Sequence, residues 1–238
     1  MRALVVGHGY VGSRVAFLWR EQGAEITVTT TSPEKVPALQ EFYPHVTLAQ
    51  NLKGAAKNQD VILVAVAPHL GASYEETYLA TANTLASAVK DGHVIYLSSV
   101  SVYGDQGGRT VTEETPPDPI TPQAEILLRA EEAVLQVPGA CVLRLGQIVG
   151  PGRTLESKAG KTLPGTGENF ANLSPIELIV QGIEAARKNR LAGIFNLCAK
   201  EHPRRRELYP EAFWDPAKKS HHGGNKKVES NKIWAYLE

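Results

Sequence analysis

Leu4-Val5-Val6-Gly7-His8-Gly9-Tyr10-Val11-Gly12 is the stretch whose reading decides the fold. Leu4 to Val6 predict a short, fully buried strand, and Gly7-x-Gly9-x-x-Gly12 follows it directly. In such a turn the first glycine permits the tight reversal out of the strand. The second lets a pyrophosphate approach bare backbone, and the third lets the next helix pack closely on the strand. The N–H groups and dipole of that helix then favour a diphosphate. Gly7, His8, Gly9, Tyr10, Val11 and Gly12 are therefore candidate dinucleotide contacts. Val11, Val15, Leu18 and Gln22 are expected on one helical face, with Gly23 as the stop.

Outward from this turn, apolar runs alternate with helical patterns, which predicts parallel βαβ units. Strands are expected at Ile26–Thr29, at Val46–Leu48 as an edge, at Val61–Ala67, at Val94–Leu97, at Cys141–Leu145 and at Ile194–Cys198. Ser32-Pro33-Glu34 predicts a capped helix start. Another helix should bury Tyr78, Ala82, Leu85 and Val89. A helix from Thr121-Pro122 should bury Ile126, Ala130, Ala133 and Val137. Ser174-Pro175-Ile176-Glu177 reads as a capping box. The segment Val102–Pro119, rich in Gly, Pro, Thr and acids, reads as an active-site loop. The expected fold class is α/β, a Rossmann-type doubly wound parallel sheet with a small C-terminal lobe. Residues 1–150 would be the dinucleotide-binding core and 151–238 the substrate lobe, with 174–198 returning a helix and strand to the core.

The 238 residues carry 25 basic and 25 acidic side chains and are 42 % hydrophobic. A net charge of zero gives no argument for nucleic acid or an anionic membrane as partner. No apolar run reaches the length of a membrane span, and the chain enters a strand at once, so no signal peptide and a cytoplasmic location are expected. Cys141 and Cys198 lie in strand-like runs, where core packing outweighs a disulfide or metal role. No histidine spacing suggests a metal. His69, after Ala67-Pro68, sits at a strand's carboxyl end where open α/β sheets bind ligands, although a solvated loop histidine is the commoner case. Ala67 joins the cofactor candidates on the same ground. Lys200–Lys232 is basic, yet interleaved with acids and with Tyr209, Phe213 and Trp214, so a folded lobe is favoured over an RNA-binding tail. Arg204-Arg205-Arg206 is expected to be a solvated face.

Four landmarks in order resemble the atypical and extended short-chain dehydrogenase/reductases of the NAD-dependent epimerase/dehydratase branch. They are Gly7–Gly12, Ser98-Ser99-Val100-Ser101-Val102-Tyr103-Gly104, Arg144–Arg153 with its Gly150-Pro151-Gly152, and Gly193-Ile194-Phe195-Asn196-Leu197. The nearest resemblance is to the short bacterial nucleoside-diphosphate-sugar epimerase-like members. It implies NAD(P) on the sheet, a nucleotide-sugar or similar polar metabolite as substrate between the sheet and a small C-terminal lobe, and a homodimer by analogy. The catalytic serine maps onto Ser99. The usual Tyr-x-x-x-Lys maps onto Gln123 and Leu127. Gln has no titratable proton, and Leu can neither lower a phenol's pKa nor hold a ribose.

Tyr103 is the other phenol nearby and joins Ser99 as a catalytic candidate, although its motif position favours shaping the pocket. Val100, Arg144 and Asn172 are candidate substrate contacts, with a structural salt bridge under the Gly-Pro-Gly loop the alternative for Arg144 and a loop residue tying down the helix the alternative for Asn172. Thr29-Thr30-Thr31-Ser32 has no carboxylate for the ribose hydroxyls, which tilts the cofactor toward NADP over NAD, with Thr30 and Thr31 beside the 2′ position and Lys35 the nearby cation. Two functions stand: an NAD(P)-binding oxidoreductase or epimerase-like protein with an altered catalytic set, or a non-catalytic NAD(P)-binding sensor or scaffold.

Overall fold

The computed structural model describes residues 1–68, 71–218 and 224–237. Its centre is a seven-stranded sheet. Five strands are β1 (Arg2–Val6), β2 (Glu25–Thr30), β3 (His45–Leu48), β4 (Val61–Val64) and β5 (His93–Ser99). The others are Cys141–Leu145 and Gly193–Leu197, and the order runs Gly193–Leu197, Cys141–Leu145, β5, β4, β1, β2, β3. Pairing from β3 through β5 is parallel, with Leu4 opposite Thr27 on one side and Ile62 on the other. The order reverses at β1, as a doubly wound sheet requires.

The apolar runs explain the central strands. Ala3–Val6 and Val61–Val64 are buried at every position, so both faces are covered and no polar alternation survives. At the edge, β3 keeps only partial burial. The run Val61–Ala67 ends as a strand at Val64; Ala65 N–H still reaches the Val6 carbonyl at 2.9 Å, and Ala65 and Val66 pass beside Gly7.

Helix α1 (Gly12–Glu21) buries Val15, Ala16 and Trp19, a face rotated from the expected one because the indole of Trp19, not Leu18, fills the core. Its stop is as read: Gly23 has φ +81°, and Ala24 N–H reaches the Trp19 carbonyl at 2.9 Å. Ser32 makes no side-chain cap, and Pro33–Lys35 form a single 3-10 turn before Val36–Gln40. Glu75–Leu79 form a π-turn that leads into Ala80–Ala88, burying Leu79, Ala82 and Leu85.

Thr121 Oγ1 accepts from Ala124 N–H at 3.2 Å and caps the helix Pro122–Val134. That helix buries Ala124, Leu127, Ala130, Glu131 and Val134 in place of Ile126 and Ala133. The capping box does not form in the expected way. Ser174 lies in the short strand Leu173–Pro175 and donates to the Leu197 carbonyl while accepting Gly146 N–H at 2.8 Å. The helix itself, Ile176–Asn189, begins just after it.

Contacts group the chain into two compact units. The first contains Met1–Ser98, Arg129–Leu143 and Ile183–Ile194; the second contains Ser99–Leu128, Arg144–Gly182 and Phe195–Glu238. The second unit is stitched by very short parallel pairs: Gln147–Val149 with Leu173–Pro175, Thr162–Pro164 with Phe213–Asp215, and Thr110–Val111 with Lys227–Val228. The loop Val102–Pro119 thus contains a 3-10 turn at its start, Val100–Tyr103, and one paired strand. Among the described residues no helix is long and apolar enough to cross a membrane. Both cysteines are buried thiols.

Candidate functional site

In the first unit the turn after β1 opens a cavity of about 370 Å³. Gly7, His8, Gly9, Thr30, Thr31 and Ala67 line it, and Ser32, Lys35, Leu52 and the acid Glu76 are among the other lining residues. Thr29 is buried and organises the turn: its Oγ1 accepts Gly7 N–H at 3.0 Å, and its carbonyl accepts His8 N–H at 3.3 Å.

The three glycines face different surroundings. At Gly7, φ is +93° and an added Cβ would meet the Ala65 carbonyl oxygen at 2.8 Å. At Gly12 it would lie 2.0 Å from the Gly7 carbonyl oxygen. At Gly9 nothing lies within 4 Å. Gly7 and Gly12 are fixed by the protein's own packing, whereas Gly9 leaves bare backbone facing open space, the arrangement a pyrophosphate needs.

Tyr10, Val11 and Gly12 do not line the cavity; Val11 and Gly12 are buried at the start of α1, and Tyr10 offers its carbonyl to Arg14 Nη1 at 2.6 Å and its ring to the same guanidinium. His8 Nε2 and the Tyr43 hydroxyl are 3.1 Å apart, the rings meeting edge-on. Burial, with help from the charge of Lys35, pushes the His8 pKa down, although its backbone hydrogen bond opposes this. A neutral imidazole therefore sits beside the turn at physiological pH. Thr30 Oγ1 accepts Ser32 N–H at 3.1 Å, so the strand end is tied by a hydroxyl where an acid would stand in an NAD-selective site. Open backbone at Gly9, hydroxyls at Thr30 and Thr31 and the Lys35 ammonium fit a nicotinamide dinucleotide.

A second cavity, of about 430 Å³, lies within the second unit, and Ser99, Val100, Gln147, Asn172, Tyr209 and Lys226 are among its walls. Ser99 begins the 3-10 turn, its Oγ accepting Ser101 N–H at 3.1 Å. Tyr103 and Arg144 are not on this wall. Tyr103 is 0 % exposed and donates its hydroxyl proton to Asn196 Oδ1 at 2.8 Å. Burial raises its pKa, against the opposing influence of Arg144 and Asn196. Arg144 is 1 % exposed, its guanidinium 4.7 Å from the Tyr103 ring centre. The structure thus brings Ser99, Val100 and Asn172 together and sets Tyr103 and Arg144 behind them.

The Asn172 side chain is engaged at both ends, donating to the Lys226 carbonyl at 3.0 Å and accepting Val228 N–H at 2.7 Å. Gln123 is exposed on its helix, and Leu127 is buried in the core. Arg204-Arg205-Arg206 is more than a solvated face: Arg205 lines the cavity with its guanidinium over Trp214, and Arg204 packs on Phe170.

Gln147, Arg205, Tyr209 and Lys226 escape a reading of the sequence. Gln147 stands in the Arg144–Arg153 landmark and Arg205 in the arginine run, yet neither pattern points to a cavity; Tyr209 and Lys226 stand in no motif, and very short strands and the short helix Arg205–Leu208 bring the four together. Lys226 is 2 % exposed and donates from Nζ to the Gly104 carbonyl at 2.8 Å. Burial lowers its pKa to about 8, with Asp105 and Cys198 opposing the shift. Gln147 Nε2 donates to the Tyr209 hydroxyl oxygen at 2.6 Å. His69 lies outside the described residues.

Comparison with known proteins bears on the fold and the family. Protein YeeZ of Escherichia coli strain K12 is 31% identical, the match covering 88% of this chain and 82% of that protein. MoeE5, solved in complex with UDP-glucose and NAD, superposes with a TM-score of 0.80 at 17% identity, covering 100% of this chain and 92% of that one. The human epimerase family protein SDR39U1 (isoform 2), solved with NADPH, gives a TM-score of 0.79 at 16% identity, covering 100% and 94%. At these identities the two structures speak for the fold. The NAD dependent epimerase/dehydratase family matches residues 3–187, and the chain belongs to that family.

Proposed function

We propose that this protein is an NAD(P)-dependent oxidoreductase or epimerase acting on a nucleotide sugar, with an altered catalytic set. The observation that carries this reading is the open backbone at Gly9, next to Gly7 N–H held by Thr29. Gly7, His8 and Gly9 would grip the diphosphate, with Tyr10, Val11 and Gly12 setting the helix start behind them, and Ala67 would close the far wall. A bound nicotinamide supplies hydride exchange. Ser99 Oγ would hydrogen-bond the substrate oxygen, and Val100 and Asn172 would shape the wall. Tyr103 and Arg144 support that wall from behind.

Support for a sugar-nucleotide substrate comes from relatives such as MoeE5, solved with UDP-glucose. Thr30, Thr31 and Lys35 favour NADP, since a 2′-phosphate is served by hydroxyls and a cation, and the end of β2 itself carries no carboxylate, the acid lining this cavity being Glu76 on the turn Glu75–Leu79. Lys35→Ala is expected to weaken NADPH binding about tenfold while leaving NADH within about twofold. Fluorescence titration of both cofactors measures this, and equal losses for the two would remove the NADP preference.

The exposed Gln123 and buried Leu127 favour a second reading, a non-catalytic dinucleotide sensor. Nicotinamide absorbance in the presence of UDP-sugars separates the two. A substrate-dependent change at 340 nm is expected of the enzyme, and cofactor binding with no change under any sugar nucleotide of the sensor.

A further inference from the structure

The second cavity holds the chemistry that the helix Pro122–Val134 lacks. A phenol and an ammonium are missing where Gln123 and Leu127 stand, and both groups are found on the wall that carries Ser99. Tyr103 cannot be that phenol, because it does not line the cavity and its proton is given to Asn196. Tyr209 is placed differently. Its oxygen receives the Gln147 amide proton at 2.6 Å, which leaves its own O–H to donate elsewhere, and the cavity is on that wall.

The ammonium is Lys226, almost wholly withdrawn from water with Nζ on the Gly104 carbonyl. Asp105 already acts favourably on this cation, and an anion in the cavity would add to that attraction. Lys158 and Arg205 add positive charge to the same wall, and no Asp or Glu lines it among the described residues.

We propose that Tyr209 and Lys226 are the substrate-contacting phenol and ammonium of this cavity, which takes an anionic, hydroxyl-bearing ligand of the sugar-phosphate or uronate kind. The proposal rests on the nucleotide-sugar reading above and places both groups on the segment after the last sheet strand, not on the usual helix.

Calorimetric titration of the full chain with UDP-glucuronic acid, and separately with NADPH, tests it. Wild type is expected to bind both. Tyr209→Phe, which keeps the packed ring, and Lys226→Met should each weaken the UDP-sugar about tenfold with NADPH unchanged. Lys226→Arg should restore most of the affinity. Wild-type affinity should also fall between about pH 7 and 9 as the ammonium deprotonates, and Lys226→Arg should flatten that fall.

Groups facing Lys226 that would modulate this profile are Asp105 and Cys198, with Arg205 and Lys158 across the cavity. Equal affinity in wild type and both substitutions, or NADPH binding with no UDP-sugar binding, overturns the proposal. Should Lys226→Met fail to fold, Tyr209→Phe decides alone. UDP-sugar binding lost in the variants while wild type ignores NADPH would uphold this assignment and defeat the reading of the glycine turn.

Discussion

A methyl group at Gly12 would lie 2.0 Å from the Gly7 carbonyl oxygen, while one at Gly9 would meet nothing within 4 Å. The two glycines are three positions apart, and their substitution by alanine should fail for opposite reasons. Gly12→Ala must push α1 off the turn and is expected to cost more than about 2 kcal/mol, visible as a lowered midpoint in thermal unfolding. Gly9→Ala should leave stability within about 0.5 kcal/mol yet weaken NADPH about tenfold, because the methyl occupies the space the diphosphate needs. A stable Gly12→Ala, or undiminished NADPH affinity in Gly9→Ala, would contradict this account of the turn. The tight packing at Gly7 and Gly12 is legible in the sequence because each demand on the glycine is local. Arg144 is not: a guanidinium after an apolar strand run reads equally as a ligand contact or as a buried support, and only its 1 % exposure against Tyr103 distinguishes them.

At the scale of elements, α1 and the helix Ile176–Asn189 are joined by a polar cluster inside the first unit. Glu184 accepts from the Trp19 indole, from Gln22 at 3.2 Å and from Arg187 at 2.9 Å. Burial opposes ionisation, but these donors outweigh it and hold the carboxyl at about 2, against an ordinary 4.5. A depressed folded-state value means stability that is present above the unfolded value and lost as the carboxyl protonates. The protein should therefore lose about 2–3 kcal/mol from this group alone as pH falls from about 5 to about 2. In Glu184→Gln that acid-dependent loss should shrink, which denaturant unfolding at several pH values measures; an unchanged pH slope would refute it. Helical period announced both helices, yet not Trp19 as the core-facing residue. Trp and Leu satisfy the same pattern, and the choice was made by a carboxylate 165 residues away.

The whole molecule is organised around pairings between distant stretches. The second unit gathers three separate pieces of chain, and Thr110–Val111 are paired by Lys227–Val228. A chain ending at Ala199 would strip Asn172 of both side-chain partners and remove the partner strands of Thr162–Pro164 and Thr110–Val111. Such a chain is expected to be cleaved by protease within residues 105–118 about tenfold faster than the full protein. Equal cleavage rates would show that the segment is dispensable to the unit. The sheet is readable because long apolar runs repeat along the first two thirds of the sequence; strands of two or three residues carry no period, so Tyr209 and Lys226 are not readable as partners of Ser99 and Asn172 on one cavity wall.

The pairing of Lys227–Val228 with Thr110–Val111 also sets an order of completion during synthesis. Every described residue lining the first cavity lies between Val6 and Thr81, so that stretch leaves the ribosome well ahead of Lys226. The glycine turn can take shape while the second cavity still lacks a wall.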